Sequence, residues 1–209
     1  SNSVFLSLLR FLREKVGMKQ SKIAITGGLG SGKTAVSDII RELGFPVFSC
    51  DEINRKLWVD PSYLSLLQQT FPDCLTHGNP DRKKISARVF SDSNALKQLN
   101  DIAHPRIMQN LLREMDQHPI SFGEVPLLYE NRYASQFDNI IAVRREKESR
   151  IRSVVLRDGA TRPEALARMA QQLDPVQLEK MNCIIIDNNG SLEHLKCSVR
   201  NVLCDLNIL

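Results

Sequence analysis

Short, nearly uninterrupted apolar runs recur along the chain, each followed by a stretch with helical spacing. The runs are Lys22 to Thr26, Pro46 to Ser49, Glu124 to Tyr129, Asn139 to Arg144 and Cys183 to Asp187. Strands buried on both faces read this way, because helices cover each face of a parallel sheet and neither face needs polar residues. The pattern predicts an α/β fold built on a parallel five-stranded sheet flanked by helices. After the first run, Val36, Ile39 and Ile40 fall on one helical face.

Two insertions interrupt the alternation. About seventy residues between the second and third runs carry no convincing strand. Asp60-Pro61 reads there as a cap followed by a first-turn proline, and His104-Pro105 as the start of another helix. A second insertion precedes the last run. Thr161-Arg162-Pro163-Glu164 has the spacing of a capping box, and Asp174-Pro175-Val176-Gln177 repeats the device. Arginine is dense here, at Arg144, Arg145, Arg150, Arg152, Arg157, Arg162 and Arg168. A basic flap over a phosphate site would read like this, and so would a solvated helical face. The expected boundaries are a core at 21–59, 120–144 and 181–209, an insertion at 60–119 and a flap at 145–180.

Composition changes this picture little. The 209 residues fit one globular unit with sub-domains, and a net charge of +4 suits anionic ligands. That charge is too small and too evenly spread to argue for nucleic acid. The five cysteines include no CxxC pair, which is the usage of a reducing, cytoplasmic compartment. No apolar run approaches the roughly 20 residues of a membrane span. Residues 1–20 read as an amphipathic helix that docks on the body of the protein or on a partner copy, with Met18 as a candidate natural start.

Chemistry enters at Gly27-Gly28-Leu29-Gly30-Ser31-Gly32-Lys33-Thr34, which matches glycine, four residues, then Gly-Lys-Ser/Thr. Glycines let successive backbone N–H groups converge on one concavity, and the following helix adds its positive end. Lys33 is positioned to reach the β- and γ-phosphates of ATP, and the Thr34 hydroxyl to ligate Mg²⁺. The motif follows a β-run and opens a helix, as the cradle requires. The dinucleotide pattern GxGxxG fails, because Lys33 stands at its third glycine.

The cradle alone does not choose a reaction. The guanine-recognition Asn-Lys-x-Asp is absent. Asp51 falls just past the second run, at the edge where parallel α/β folds bind ligands. An aspartate there can accept a proton from an attacking hydroxyl. It can also cap the helix expected from Glu52 to Trp58. The alternatives at this point are a P-loop kinase of another nucleoside or small alcohol, and a regulator that binds ATP without catalysis, against which Asp51 argues.

Beyond the cradle, further residues occur in the order seen in one family. They are Asp51 with Ile53 and Arg55, Asp81-Arg82, Val89-Phe90-Ser91, Leu99 through Ile102 to His104-Pro105, and Val125-Pro126-Leu127-Leu128-Tyr129-Glu130. Arg157-Asp158-Gly159, Gln172 and Ile186-Asp187-Asn188-Asn189-Gly190 complete the series. Over roughly residues 22–195 the chain resembles the dephospho-coenzyme A kinases.

That resemblance implies a P-loop core, a helical CoA-binding insertion and an arginine-bearing lid. It implies phosphorylation of the ribose 3′-hydroxyl of dephospho-CoA by ATP with Mg²⁺, giving coenzyme A in the last step of its synthesis. Lys33, Asp51 and Arg157 would be catalytic, with Asp51 as base. Gly28, Leu29, Gly30, Ser31, Gly32, Lys33, Thr34, Ala35 and Asn188 would bind ATP, Asn188 facing the adenine. Asp51, Asp81, Arg82 and His104 would bind dephospho-CoA. Asn188 reads also as a turn residue, and His104 as a core histidine. The chain departs from the family at Ser49-Cys50-Asp51, where the first of two aspartates is lost, and at Met181-Asn182. It also carries Arg150 and Ser153 where glutamine and arginine are usual. Arg152 is a poor substitute for the missing arginine, because one residue along a helix is a turn of about 100°.

Overall fold

The computed structural model describes residues 20–170, 172 and 175–209. The amphipathic helix expected at the N-terminus and the cap expected at Asp174 lie outside them. In chain order the elements begin with β1 (Ser21–Thr26), α1 (Lys33–Glu42), β2 (Val47–Ser49), α2 (Cys50–Leu57) and α3 (Pro61–Thr70). Next come β3 (Leu75–Thr76), β4 (Asn79–Pro80), α4 (Arg82–Ser91), α5 (Ser93–Met115), β5 (Ile120–Glu124) and β6 (Asn139–Arg144). The series closes with α6 (Lys147–Asp158), α7 (Arg162–Ala170), β7 (Ile184–Asp187) and α8 (Leu192–Asp205). These elements divide between two compact units, one containing the residues up to Phe48 and Met115–Leu209, the other Ser49–Glu114.

The first unit holds a five-stranded parallel sheet of order β2-β5-β1-β6-β7, with β1 at its centre. Ile23 and Ile25 of β1, Phe122 of β5, and Ile141 and Val143 of β6 are buried with Val36, Ile39 and Ile40 of α1 and Leu195 and Val199 of α8. Each such side chain stabilises the fold by about 1.5–3 kcal/mol. A smaller cluster of Ile151, Val154, Ala160 and Ala165 joins α6 to α7. The capping box forms there as predicted: Thr161 N donates to Glu164 Oε2 at 2.7 Å, and Glu164 N to Thr161 Oγ1 at 3.4 Å.

The third expected strand is displaced. It occupies Ile120–Glu124, so the run from Glu124 to Tyr129 contributes only its first residue. Val125 N still donates to the Ile25 carbonyl at 2.9 Å, but Pro126 has no N–H for a ladder and Leu127 has φ of 54°, so the chain leaves the sheet there. The small, half-polar run Ile-Ser-Phe-Gly-Glu carries the strand because Ser121–Glu124 are buried beside β1.

The second unit is helical, with Tyr63, Leu67, Ile85 and Leu111 fully buried. Asp60 caps α3 by accepting from Ser62 N at 2.9 Å and Tyr63 N at 3.0 Å, as its spacing before Pro61 predicts. Two expectations need correction. Pro105 does not start a helix but lies inside α5, where the loss of one N–H leaves the flanking turns intact and Arg106 Nη1 donates back to the Ile102 carbonyl at 2.9 Å. The insertion also contains a strand pair: β3 and β4 form a tight hairpin whose turn, His77-Gly78, has φ of 50° and 78°.

Candidate active site

The phosphate cradle follows from how tightly the chain turns after β1. Gly27 and Gly32 have φ of 147° and 93°. A Cβ on Gly27 would collide with the Val143 carbonyl oxygen of β6, and one on Gly32 with Asn188 Nδ2. Only glycine fits both. The loop closes on itself through Ser31 N donating to the Gly28 carbonyl at 3.1 Å, and α1 starts at Lys33. Lys33 Nζ folds over the loop and donates to the carbonyls of Gly27 at 2.8 Å and Gly28 at 3.2 Å. Asn188, just beyond β7, donates from Nδ2 to the Ser31 carbonyl at 2.9 Å, so its amide braces the cradle. Ala35 packs against the main core beneath it.

One residue of this site escapes the sequence reading. Glu124 ends β5, and its carboxylate is buried, yet it accepts hydrogen bonds from Thr34 Oγ1 at 3.3 Å and Ser37 Oγ at 2.9 Å. A carboxylate closing an otherwise apolar strand is the available signal. The apolar run that begins at Glu124 hides its place at a strand's carboxyl end.

The other wall of the cradle comes from α6 and from Gln172. Arg150, buried at 4% exposure, donates from Nε to the Leu29 carbonyl at 2.9 Å, and its guanidinium lies against Gly28. Leu29 N in turn donates to Gln172 Oε1 at 2.6 Å. Both polar groups of the Leu29 residue are therefore held from this side, while its side chain packs on the α6–α7 cluster. Arg145 donates from Nη1 to Ser153 Oγ at 2.9 Å. Arg144 grips Asp187 with Nε at 2.6 Å and Nη2 at 2.8 Å, and Glu179 with Nη1 at 2.6 Å. The Arg144 guanidinium holds the Asp187 carboxyl below its ordinary range. Arg157 sits at the far end of α6, 62% exposed, with Nε 2.6 Å from Asp158 Oδ1. Arg144, Arg145, Arg150, Leu166 and Met169 line a cavity of about 1020 Å³. The lining mixes these basic and apolar side chains with Glu146 and Asp187, and such a mixture suits an aromatic base carrying phosphates.

The remaining candidates lie in the helical unit. Ser49, not Asp51, caps α2, its hydroxyl accepting from Asp51 N at 3.2 Å. Asp51 is thus left exposed in the first turn. Asp81 caps α4, accepting from Lys83 N at 2.9 Å and Lys84 N at 3.2 Å, and the Thr76 hydroxyl at 2.7 Å holds its carboxyl below the usual range. The Arg82 guanidinium lies 5.3 Å from the centre of the Trp58 ring. His104 is half-buried in α5, and burial pushes its basicity down. Among the described residues no cluster of His, Cys, Asp or Glu could alone hold a metal ion, and no helix is long and apolar enough to cross a membrane.

Comparison with known proteins agrees with this geometry. The family profile described as dephospho-CoA kinase (CoaE) matches residues 21–194. A dephospho-CoA kinase of Thermus thermophilus is 33% identical over 88% of this chain and 91% of its own length. One from Deinococcus radiodurans is 33% identical over 90% and 93%. Among solved structures, a Thermus thermophilus protein superimposes with a TM-score of 0.78 at 32% identity, covering 90% of this chain and 98% of that one. Dephospho-CoA kinase from Campylobacter jejuni superimposes with a TM-score of 0.63 at 25% identity, covering 88% and 96%. A profile match that runs from β1 to the start of α8, with relatives 33% identical over most of their length, establishes that the chain belongs to the dephospho-CoA kinase family.

Proposed function

We propose that the chain transfers the γ-phosphoryl group of ATP to the ribose 3′-hydroxyl of dephospho-CoA, giving coenzyme A. Family membership displaces the alternatives of another small-alcohol kinase or a non-catalytic regulator. The observation that carries the chemistry is the preserved cradle, with Lys33 at its mouth and Thr34 hydrogen-bonded to Glu124.

In this reading Gly28 to Ala35 cradle the triphosphate through backbone N–H groups, and Lys33 exchanges its loop carbonyls for phosphate oxygens. Asn188 acts from behind, keeping the Ser31 peptide oriented, and the cavity beside Arg144 takes the adenosine. Asp51 accepts the proton of the 3′-hydroxyl. Its carboxylate suits this role because Ser49 has taken over the capping. The helical unit binds dephospho-CoA, with Arg82 and His104 contributing side chains and Asp81 fixing the start of α4. The segment 145–180 serves as lid, and Arg157, at the far end of α6, is the arginine that closes on the transferring phosphate.

The donor set fits Mg²⁺, which prefers oxygen ligands and keeps several waters. Thr34 would ligate it directly, and Glu124 would hold its waters while orienting the Thr34 hydroxyl. When bound, the ion neutralises charge on the β- and γ-phosphates. A cytoplasmic enzyme accords with five cysteines that form no disulfide, of which Cys50 and Cys74 are buried.

The test is ADP release from ATP and Mg²⁺ with and without dephospho-CoA, with the product mass determined. Strong stimulation and a coenzyme A product are expected. Bound ATP without stimulation would overturn the assignment.

A further inference from the structure

Most arginines between Arg144 and Arg168 are already neutralised. Arg144 holds Asp187 and Glu179, Arg157 and Arg168 share Asp158, and Arg162 pairs with Glu148. Arg145 is different. Among the described residues its half-buried guanidinium meets no carboxylate, and its Nε is fully buried with no hydrogen-bond partner. A buried cationic donor left without an acceptor is unfavourable, and such groups are retained where a ligand completes them.

The surroundings say which ligand. Arg145 lines a small pocket together with Thr26, Gly27, Gly28 and Arg150, and it also lines the large cavity. It therefore stands where the cradle opens into the space available to a nucleotide. Its Nη1 is anchored on Ser153, which lies one turn beyond Arg150 on the same face of α6. Arg150 turns that face onto Gly28 and Leu29. With Nη1 fixed, Nε and Nη2 form the planar fork that pairs with two oxygens of one phosphate.

Resting on the ATP-kinase reading above, we propose that Arg145 is a phosphate-neutralising arginine of the nucleotide site in this chain, in addition to Arg157 at the far end of α6. Arg145 delivers from the end of β6 the charge that position 153 of α6 lacks. Serine at 153 is then part of the device: it is short enough to admit the Arg145 guanidinium, and its hydroxyl orients it. An arginine at both positions would place two guanidinium groups in one space.

The test is nucleotide binding without any acceptor, by displacement of a fluorescent ATP analogue. Arg145→Ala should weaken ATP roughly 10- to 100-fold, the range for a lost hydrogen bond to a charged group. Affinity for adenosine should not change. Arg152→Ala removes a charge from α6, one residue before Ser153, and should bind ATP like the wild type. Adding Ser153→Arg to Arg145→Ala should restore most of the lost ATP affinity. Thermal unfolding is recorded for every variant, and Arg145→Gln replaces the alanine variant if that one does not fold. Unchanged ATP affinity in Arg145→Ala, an equal loss for adenosine and ATP, or no recovery with Ser153→Arg would each overturn the proposal. Because no acceptor is present, these outcomes stand whether or not dephospho-CoA proves to be the substrate.

Discussion

Arg150 donates from Nε to the carbonyl oxygen of Leu29 at 2.9 Å, joining residues 121 positions apart. Leu29 is the tip of the phosphate cradle, and Arg150 is a buried residue of the helix that opens the expected lid. The bond gives the cradle a fixed outer wall and leaves its concave side to phosphate.

Arg150→Ala should therefore loosen the loop as well as remove a charge. It strands the Leu29 carbonyl and opens a void beside Gly28. We expect a loss of about 1–3 kcal/mol of stability together with weaker ATP binding, measured by denaturant unfolding and titration. Arg150→Gln keeps a donor within reach and should recover most of the stability.

Lys33 and Asp51 should separate kinetically. In the proposed mechanism Lys33→Ala removes a cation that neutralises the β- and γ-phosphates, and it should nearly abolish turnover. Asp51→Asn keeps the shape and removes the proposed proton acceptor, so kcat should fall far more than ATP affinity. Single-turnover kinetics beside equilibrium ATP binding would check this, and an unchanged rate would remove Asp51 from the mechanism.

Glu124→Gln should raise the Mg²⁺ concentration needed for half-maximal activity while leaving the fold intact, since the amide oxygen still accepts from one of the two hydroxyls and the amide NH2 donates to the other. Glu124→Ala should in addition lower stability by about 1–3 kcal/mol, because the buried Ser37 hydroxyl loses its acceptor. A Mg²⁺ titration and a melting curve for each variant distinguish the two effects.

Asp187 links stability to acid. Its carboxyl is held down chiefly by the hydrogen bonds from Arg144, so its folded pKa lies below the unfolded value. The stabilisation is thus fully present above the unfolded pKa near 3.9 and is lost as pH falls through the folded pKa. Asp187→Asn should flatten the acid limb of the stability profile and leave its slope near neutrality unchanged. The pair is partly exposed, so the effect should also shrink in high salt.

Local features of the chain are legible without coordinates because their causes are local. Glycines spaced for a phosphate loop, Asp60 before Pro61, and Thr161 three residues before Glu164 each act on backbone groups within a turn of themselves. Apolar runs report buried strands for the same reason. The inference fails where apolarity and pairing part company: Val125 to Tyr129 is apolar but cannot join a ladder beyond Pro126, while Ile120–Glu124 pairs well and looks unremarkable.

Which charge faces which was settled only by the tertiary structure. The sequence determined that Asp51, Glu124, Arg145, Arg150 and Arg157 exist on an α/β chain with a phosphate loop, and by resemblance it directed attention to Arg157 and position 153. Close packing of α6 on the cradle turned Arg150 onto Leu29 and brought Arg145 to Ser153, while α1 against β5 set Glu124 beside Thr34 from 90 residues away. Carboxylates elsewhere on the surface took the other arginines. Side-chain length and helix register fix these pairings only after the elements have docked, because each depends on a separation of a few ångströms between segments distant in the chain.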